Sequence, residues 1–87
     1  MANHKSAVKR MRQALVRRDR NRSVRSEMRT EIKRLRTAIE QGNAEEAKSL
    51  LTATLGIVDT TAKKGVIHRN AAARTKSRLT RAVNAMS

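Results

Sequence analysis

The sequence predicts an all-α protein, a three-helix bundle whose extended first helix projects from the bundle as a basic arm. Proline is absent and glycine occurs only at positions 42, 56 and 65, so long helices can run unbroken until a glycine ends them. Apolar residues recur at three- and four-residue spacings in three separate stretches, as expected of helices that each bury one face. With 87 residues, the chain is the size of one small domain.

The first helix is predicted over residues 4–40, and its two halves carry different apolar stripes. The stripe of the second half consists of Val24, Met28, Ile32, Leu35 and Ile39. The stripe of the first half, roughly 130° around an ideal helix from the other, consists of Val8, Met11 and Leu15. Residues 17–23 between them are entirely polar. Within a single domain, 1–87, we therefore expect residues 1–22 to form a basic arm and residues 23–87 to form the bundle.

The turn after the first helix is predicted at residues 41–43. Gly42 suits the left-handed residue that ends a helix, and Asn43 can cap the next one. Glu46, three residues after the asparagine, completes a pair that is similar to a capping box.

The second helix is predicted over 44–64 and the third over 67–86, with Gly65 as the stop between them. No Ser, Thr or Asp precedes the third helix to mark its start. The second helix is expected to bury Ala47, Leu50, Leu51, Leu55, Val58 and Ala62, and to expose Glu45, Glu46, Ser49, Thr52, Gly56 and Asp59. The third is expected to bury Ala72, Leu79, Ala82, Val83 and Met86, and to expose Asn70, Arg74, Ser77, Arg78 and Arg81.

Charge is segregated along the chain, whose net charge is +14. Residues 1–36 hold thirteen Lys/Arg and three acids, residues 37–62 hold one Lys and four acids, and residues 63–87 hold seven Lys/Arg and no acid. Cations at both ends and acids in the middle indicate one side that faces a polyanion and another that faces water. Nucleic acid is the leading candidate for that polyanion.

Several functional classes find no support in the sequence. There is no cysteine for a disulfide or thiolate metal site, no Gly-rich phosphate loop, and no acid placed near a histidine at metal or acid–base spacing. We therefore expect no enzyme, metal, cofactor or small-molecule substrate. The start of the chain lacks the apolar region of a signal peptide, and no apolar run approaches a membrane span. The expected location is the cytoplasm.

The basic residues form a more specific pattern than the acids do. Arg25, Arg29, Lys33 and Arg36 are spaced four, four and three apart, so they form a ridge along one helix face. A single ridge is usually a solvated surface, but here an arm and the acid-free third helix are basic as well. Arg outnumbers Lys fourteen to seven, which favours bidentate phosphate contacts.

The absence of aromatic residues limits how nucleic acid is recognised. Platforms that stack single-stranded bases are built from aromatic side chains, and this chain has no Phe, Trp or Tyr. Recognition of phosphates, 2′-hydroxyls and groove shape in folded RNA remains, as does sequence-blind DNA binding.

Both ends of the chain resemble a known family. Residues 1–10, M-A-N-H-K-S-A-V-K-R, resemble the amino terminus of bacterial small-subunit ribosomal protein twenty, and residues 64–79, K-G-V-I-H-R-N-A-A-A-R-T-K-S-R-L, resemble its most recognisable motif. The resemblance covers the whole chain without large gaps. Asn43 replaces the aspartate that is usual in the family's turn and should still cap. Ala71 stands where a lysine is common, so one phosphate contact of the family is in question there.

The resemblance implies a three-helix bundle with an extended first helix, bound directly to 16S ribosomal RNA within the small subunit and acting early in assembly. We expect a non-enzymatic structural protein, one monomer per ribosome, that neutralises phosphates where RNA helices approach. The expected RNA contacts are Asn3, Lys5, Ser6, Lys9, Arg10, Arg12, Arg17, Arg18, Arg20 and Arg22 on the arm, then Arg25, Arg29 and Lys33 on the ridge, then His68, Arg69, Asn70, Arg74, Lys76, Ser77, Arg78 and Arg81 on the third helix.

Two other functional classes are alternatives to ribosomal RNA binding. Composition alone also fits a histone-like protein that binds DNA without sequence preference. A membrane-active basic peptide fits less well, because the arm's cations surround the helix and leave no wide apolar face. A preference for ribosomal RNA over duplex DNA distinguishes the ribosomal role from the histone-like one.

Overall fold

A computed structural model describes the backbone of residues 2–86 and the side chains of residues 6–86. Three helices follow one another: α1 spans Ala2–Glu40, α2 spans Ala44–Lys63 and α3 spans Arg69–Asn84. No strand occurs within residues 2–86. The predicted all-α class is confirmed, and each predicted helix has its counterpart with ends that differ by two residues or fewer.

Glycine ends α1 as the sequence predicts. Gly42 has φ +72°, its N–H donates to the Ile39 carbonyl at 3.0 Å, and the Asn43 N–H donates to the Ala38 carbonyl at 3.1 Å. These two bonds form a Schellman motif, which satisfies carbonyls that the helix end leaves unpaired. Asn43 Oδ1 then caps α2 by accepting from the Glu46 N–H at 3.2 Å.

The pair at the start of α2 differs in one detail from a capping box. The Asn43 backbone N–H is already used by the Schellman motif, so it cannot donate to the Glu46 carboxylate. Asn43 Nδ2 donates to Glu46 Oε2 instead, at 3.0 Å. A single residue therefore both closes α1 and opens α2.

A second Schellman motif ends α2. Gly65 has φ +75°, its N–H donates to the Ala62 carbonyl at 2.9 Å, and the Val66 N–H donates to the Thr61 carbonyl at 3.2 Å. The Lys64 N–H donates to the Thr60 carbonyl at 3.0 Å. The carbonyls of Thr60, Thr61 and Ala62 in the last turn of α2 thus have backbone donors.

All three helices contribute to one core. Its buried members are Leu35 and Ala38 of α1, Ala47 of α2, and Leu79 and Val83 of α3. Ile32, Ile39, Leu50, Leu51 and Met86 pack around them and are partly buried. Of the predicted stripes, Ile32, Leu35 and Ile39 of α1 and Leu79, Val83 and Met86 of α3 lie in this core or pack against it. The second helix packs against both other helices.

Two buried threonines of α2 were not among the predicted core residues. Thr54 and Thr61 are each 1% exposed, as buried as the apolar residues around them. Thr61 Oγ1 donates to the Ile57 carbonyl one turn earlier at 2.7 Å. Thr54 Oγ1 has no hydrogen-bond partner. Six of the residues predicted to be buried are only half-buried, namely Leu50, Leu51, Leu55 and Ala62 of α2 and Ala82 and Met86 of α3.

The first half of α1 extends beyond the bundle. Every side chain from residue 6 to residue 20 is exposed, including Val8 at 38%, Met11 at 61%, Leu15 at 53% and Val16 at 61%. The molecule measures 65 × 21 × 14 Å with a radius of gyration of 17.7 Å. A compact chain of this length would have a radius of gyration of about 12 Å. The polar segment 17–23 does not interrupt α1, so the arm is a continuation of a bundle helix.

Candidate nucleic-acid interface

The arm presents its basic side chains to solvent. The exposed side chains among the predicted contacts are Ser6, Lys9, Arg10, Arg12, Arg17, Arg18, Arg20 and Arg22. Asn3 and Lys5 belong to the first turns of α1, and their side chains lie outside the described residues. Because these residues share one helix without a break, their relative positions are fixed by helical geometry.

Continuity of α1 aligns the arm with the ridge, as expected from the helix predicted over residues 4–40. We call the residues spaced four, three, four, four and three along one face the α1 stripe: Arg18, Arg22, Arg25, Arg29, Lys33 and Arg36. Arg25 is half-buried and the other members are exposed. The α1 stripe is about 27 Å long at 1.5 Å per residue, and no acid interrupts it. Towards the N-terminus the same face continues with Leu15, Met11 and Val8.

A second basic surface lies on α3, which contains no acid. Its exposed polar members are Arg69, Asn70, Arg74, Ser77, Arg78 and Arg81, as predicted. Lys76 differs from them, because its Nζ lies 2.7 Å from Asp59 Oδ1 on α2 and the residue is only half-exposed. Of the eight residues predicted to contact RNA in this region, six therefore lie on α3 itself and are exposed to solvent.

His68 has a structural task at the start of α3. Its backbone is extended, with φ −73° and ψ 144°, and its Nδ1 accepts from the Asn70 N–H at 3.1 Å. The ring therefore caps the helix, and a neutral imidazole that accepts at Nδ1 carries its proton on Nε2. That exposed Nε2–H remains able to donate to a phosphate. The sequence did not identify this cap because histidine is not among the common N-cap residues.

Lys64 was missed as a candidate site residue. An open groove of about 410 Å³, which we call the arm notch, lies where the arm leaves the bundle. Its lining residues are Arg17, Arg20, Asn21, Val24, Lys64 and Val66. The signal in the sequence is a lysine directly before Gly65, the glycine that ends α2.

Few of the cations are neutralised within the molecule. Among the side chains of residues 6–86, ion pairs join Arg34 to Glu31 at 3.2 Å and Lys76 to Asp59 at 2.7 Å. The other basic side chains in this range have no carboxylate within 4.0 Å. Glu45 and Glu46, at the start of α2, are exposed. The positive potential of the arm and of α3 is thus directed outward, where it attracts a polyanion.

The described part of the chain has no group of three or more histidines and acids placed to hold a metal ion. No helix between residues 2 and 86 has the length and apolar character needed to cross a membrane.

Comparisons with known proteins identify a family for this chain. Residues 2–84 match the family model of ribosomal protein S20. The chain is 52% identical over 87 residues to the small ribosomal subunit protein bS20 of Geotalea daltonii, covering 100% of both chains. It is 52% identical over 86 residues to the protein of the same name from Geotalea uraniireducens and 49% identical over 86 residues to that from Geobacter metallireducens, each covering 99% of both chains.

About half of the residues are identical to those of the Geotalea daltonii protein, and the alignment covers the full length of the chain. The family consists of structural proteins of the small ribosomal subunit, and in bacteria that subunit is cytoplasmic. The location expected from the sequence is therefore confirmed. This chain belongs to the ribosomal protein S20 family and is a constituent of the small ribosomal subunit.

Proposed function

We propose that this protein binds 16S ribosomal RNA directly and stabilises RNA folding while the small subunit assembles. The observation that carries the proposal is the α1 stripe, which continues from the bundle into the arm without a break. Its cations follow one line for about 27 Å, long enough to contact several successive phosphates of an RNA strand. Arginine predominates in it, and a guanidinium can hold phosphate oxygens through two parallel hydrogen bonds.

The α3 surface provides a second, separate contact. It belongs to a different helix from the α1 stripe, and the two helices meet in the core around Leu35 and Val83. A protein with two basic surfaces can neutralise two RNA segments at once and lower the repulsion between them. This is the physical basis for stabilising a junction of RNA helices.

The role requires binding alone. We infer that one monomer acts in each ribosome, without a cofactor, a small-molecule substrate or catalysis. The exposed carboxylates of Glu45 and Glu46 are repelled by phosphates, so the start of α2 should face water in the complex. Since no aromatic residue is present to stack on bases, phosphates, 2′-hydroxyls and groove shape supply the recognition.

Competition binding tests the proposal against a histone-like role. Labelled 16S ribosomal RNA is bound to the protein and then challenged with unlabelled 16S RNA or with duplex DNA at equal phosphate concentration. Direct, shape-dependent recognition predicts that the RNA displaces the label at much lower concentrations than the DNA, since specific binding is typically tighter than non-specific binding by about a thousandfold or more. Equal displacement by both competitors contradicts the proposal and favours sequence-blind binding of nucleic acid.

A further inference from the structure

The arm notch brings cations together from two distant parts of the chain. Arg17 and Arg20 come from the arm, while Lys64 comes from the turn between α2 and α3. Asn21 adds an amide that can donate hydrogen bonds, and no carboxylate lines the groove. The notch exists only because α1 continues past the end of α2.

The two notch arginines face away from the α1 stripe. Relative to Arg29, Arg17 lies roughly 120° and Arg20 roughly 180° around an ideal helix. They therefore point away from an RNA strand that follows the stripe. A phosphate bound by these cations would belong to a different segment of RNA.

Helix capping does not account for the notch cations. Cations near a helix C-terminus often neutralise its unpaired carbonyls. Here the carbonyls of Thr60, Thr61 and Ala62 already accept from backbone N–H groups of the turn. Arg17, Arg20 and Lys64 make no ion pair in the described structure, and their charge remains available to a ligand.

One acid, Glu27, lines a neighbouring groove. Glu27 and Lys64 both line that groove, which continues along α1 towards the bundle, but no ion pair joins them. An anion in the arm notch would therefore sit at the end away from Glu27, between Lys64 and the two arginines. Asp19 lies roughly 100° around the helix from Arg20 and does not line the notch.

We propose that the arm notch binds a phosphodiester of a second RNA strand, on the side of the arm opposite the strand held by the α1 stripe. The proposal rests on direct binding of 16S RNA and adds a site and a residue, Lys64, to it. With phosphates on both sides, the arm is held between two RNA strands. Arg17 and Arg20 of the arm and Lys64 of the turn after α2 then contact the same phosphate. The bound phosphate thereby ties the arm to the bundle.

The chain offers a closely matched pair of variants. Lys63 and Lys64 are adjacent and exposed, and each substitution by Gln removes one positive charge, but only Lys64 lines the notch. We expect Lys64→Gln to weaken binding of 16S RNA up to about fivefold more than Lys63→Gln, the range typical of an exposed charge contact. Equal melting temperatures of the two variants by circular dichroism establish that both are folded.

Ethylation interference on 16S RNA identifies the phosphates involved. Because the method reports only phosphates within the RNA chain, it separates a backbone phosphate from a free anion of the buffer. The proposal predicts that Lys64→Gln removes interference at one or two phosphates that Arg29→Gln leaves in place. Equal affinities for Lys63→Gln and Lys64→Gln, with unchanged interference patterns, overturn the notch site and leave direct RNA binding intact. Failure of the unmodified protein to bind 16S RNA at all refutes the proposed function instead.

Discussion

Lys76 Nζ of α3 lies 2.7 Å from Asp59 Oδ1 of α2, and this ion pair joins the two helices across the surface of the bundle. The lysine side chain is 36% exposed and the aspartate side chain 50%, so water screens the pair strongly. Such exposed pairs typically stabilise a fold by less than about 1 kcal/mol. The pair therefore has more influence on where the lysine points than on whether the bundle folds.

Asp59→Asn should release Lys76 without weakening RNA binding. We expect the free energy of unfolding to fall by less than about 1 kcal/mol relative to Glu45→Gln, an exposed α2 acid without an ion pair. Affinity for 16S RNA should stay the same or rise, because a carboxylate is lost and a cation is freed. Urea unfolding and filter binding measure the two quantities. A loss of RNA affinity confined to Asp59→Asn would mean that the ion pair positions the α3 surface.

The two buried threonines should respond differently to replacement by valine. Thr54→Val removes a buried hydroxyl that lacks a partner, and we expect it to stabilise the fold by about 1 kcal/mol. Thr61→Val removes the hydrogen bond to the Ile57 carbonyl, so it should be neutral or destabilise by up to about 1 kcal/mol. The two residue types have similar helix propensities, which leaves the hydroxyl as the main difference. Urea midpoints test the pair, and an equal loss in both variants would contradict the assignment.

Position of charge should matter more than total charge. Arg25→Glu with Arg29→Glu reverses two members of the α1 stripe, whereas Lys48→Glu with Lys63→Glu makes the same change in net charge on exposed positions of α2. We expect the first double variant to lose at least about tenfold more affinity for 16S RNA, since charge reversal at a phosphate contact adds repulsion to the lost attraction. Arg25 is half-buried, so melting temperatures are compared first. Equal losses would show that only net charge counts.

The helices could be predicted from local rules that the structure obeys. Gly42 and Gly65 end helices because the left-handed conformation suits glycine, and Asn43 opens α2 because its short side chain reaches an unpaired N–H. The start of α3 escaped the same rules because its cap is His68. Thr54 was missed because hydropathy assigns threonine to the surface, while the packing of α2 between two helices buries it.

The parts of the site that depend on tertiary structure could not be predicted. The unbroken helix that aligns the α1 stripe was predicted over residues 4–40, but the contacts that its residues share with other helices were not. The contact of Asp59 with Lys76, and the approach of Lys64 to Arg17, join residues far apart in the sequence. Only the antiparallel packing of successive helices brings them together.

The arm should be much less protected than the bundle in the free protein. Residues 6–20 have exposed side chains, so their helix is held by local hydrogen bonds, and an isolated helix of this length is marginal in water. Eight cations and one acid up to Arg22 add repulsion. Amide hydrogen exchange should show rapid exchange for residues 6–20 and slow exchange at Met28, Ile32 and Leu35, with the arm becoming protected on binding RNA. Strong protection of the free arm would instead indicate a rigid, preformed helix.

The salt dependence of binding to 16S RNA tests most directly whether phosphate contacts dominate. If about eight phosphates are neutralised, a plot of the logarithm of the affinity against the logarithm of the salt concentration should have a slope of about −6 to −7. A filter-binding titration across salt concentrations measures this slope. A slope in that range supports a binding surface formed by the α1 stripe, the arm and α3. A slope shallower than about −2 contradicts it, because counterion release would then be too small for phosphate contacts to carry the affinity.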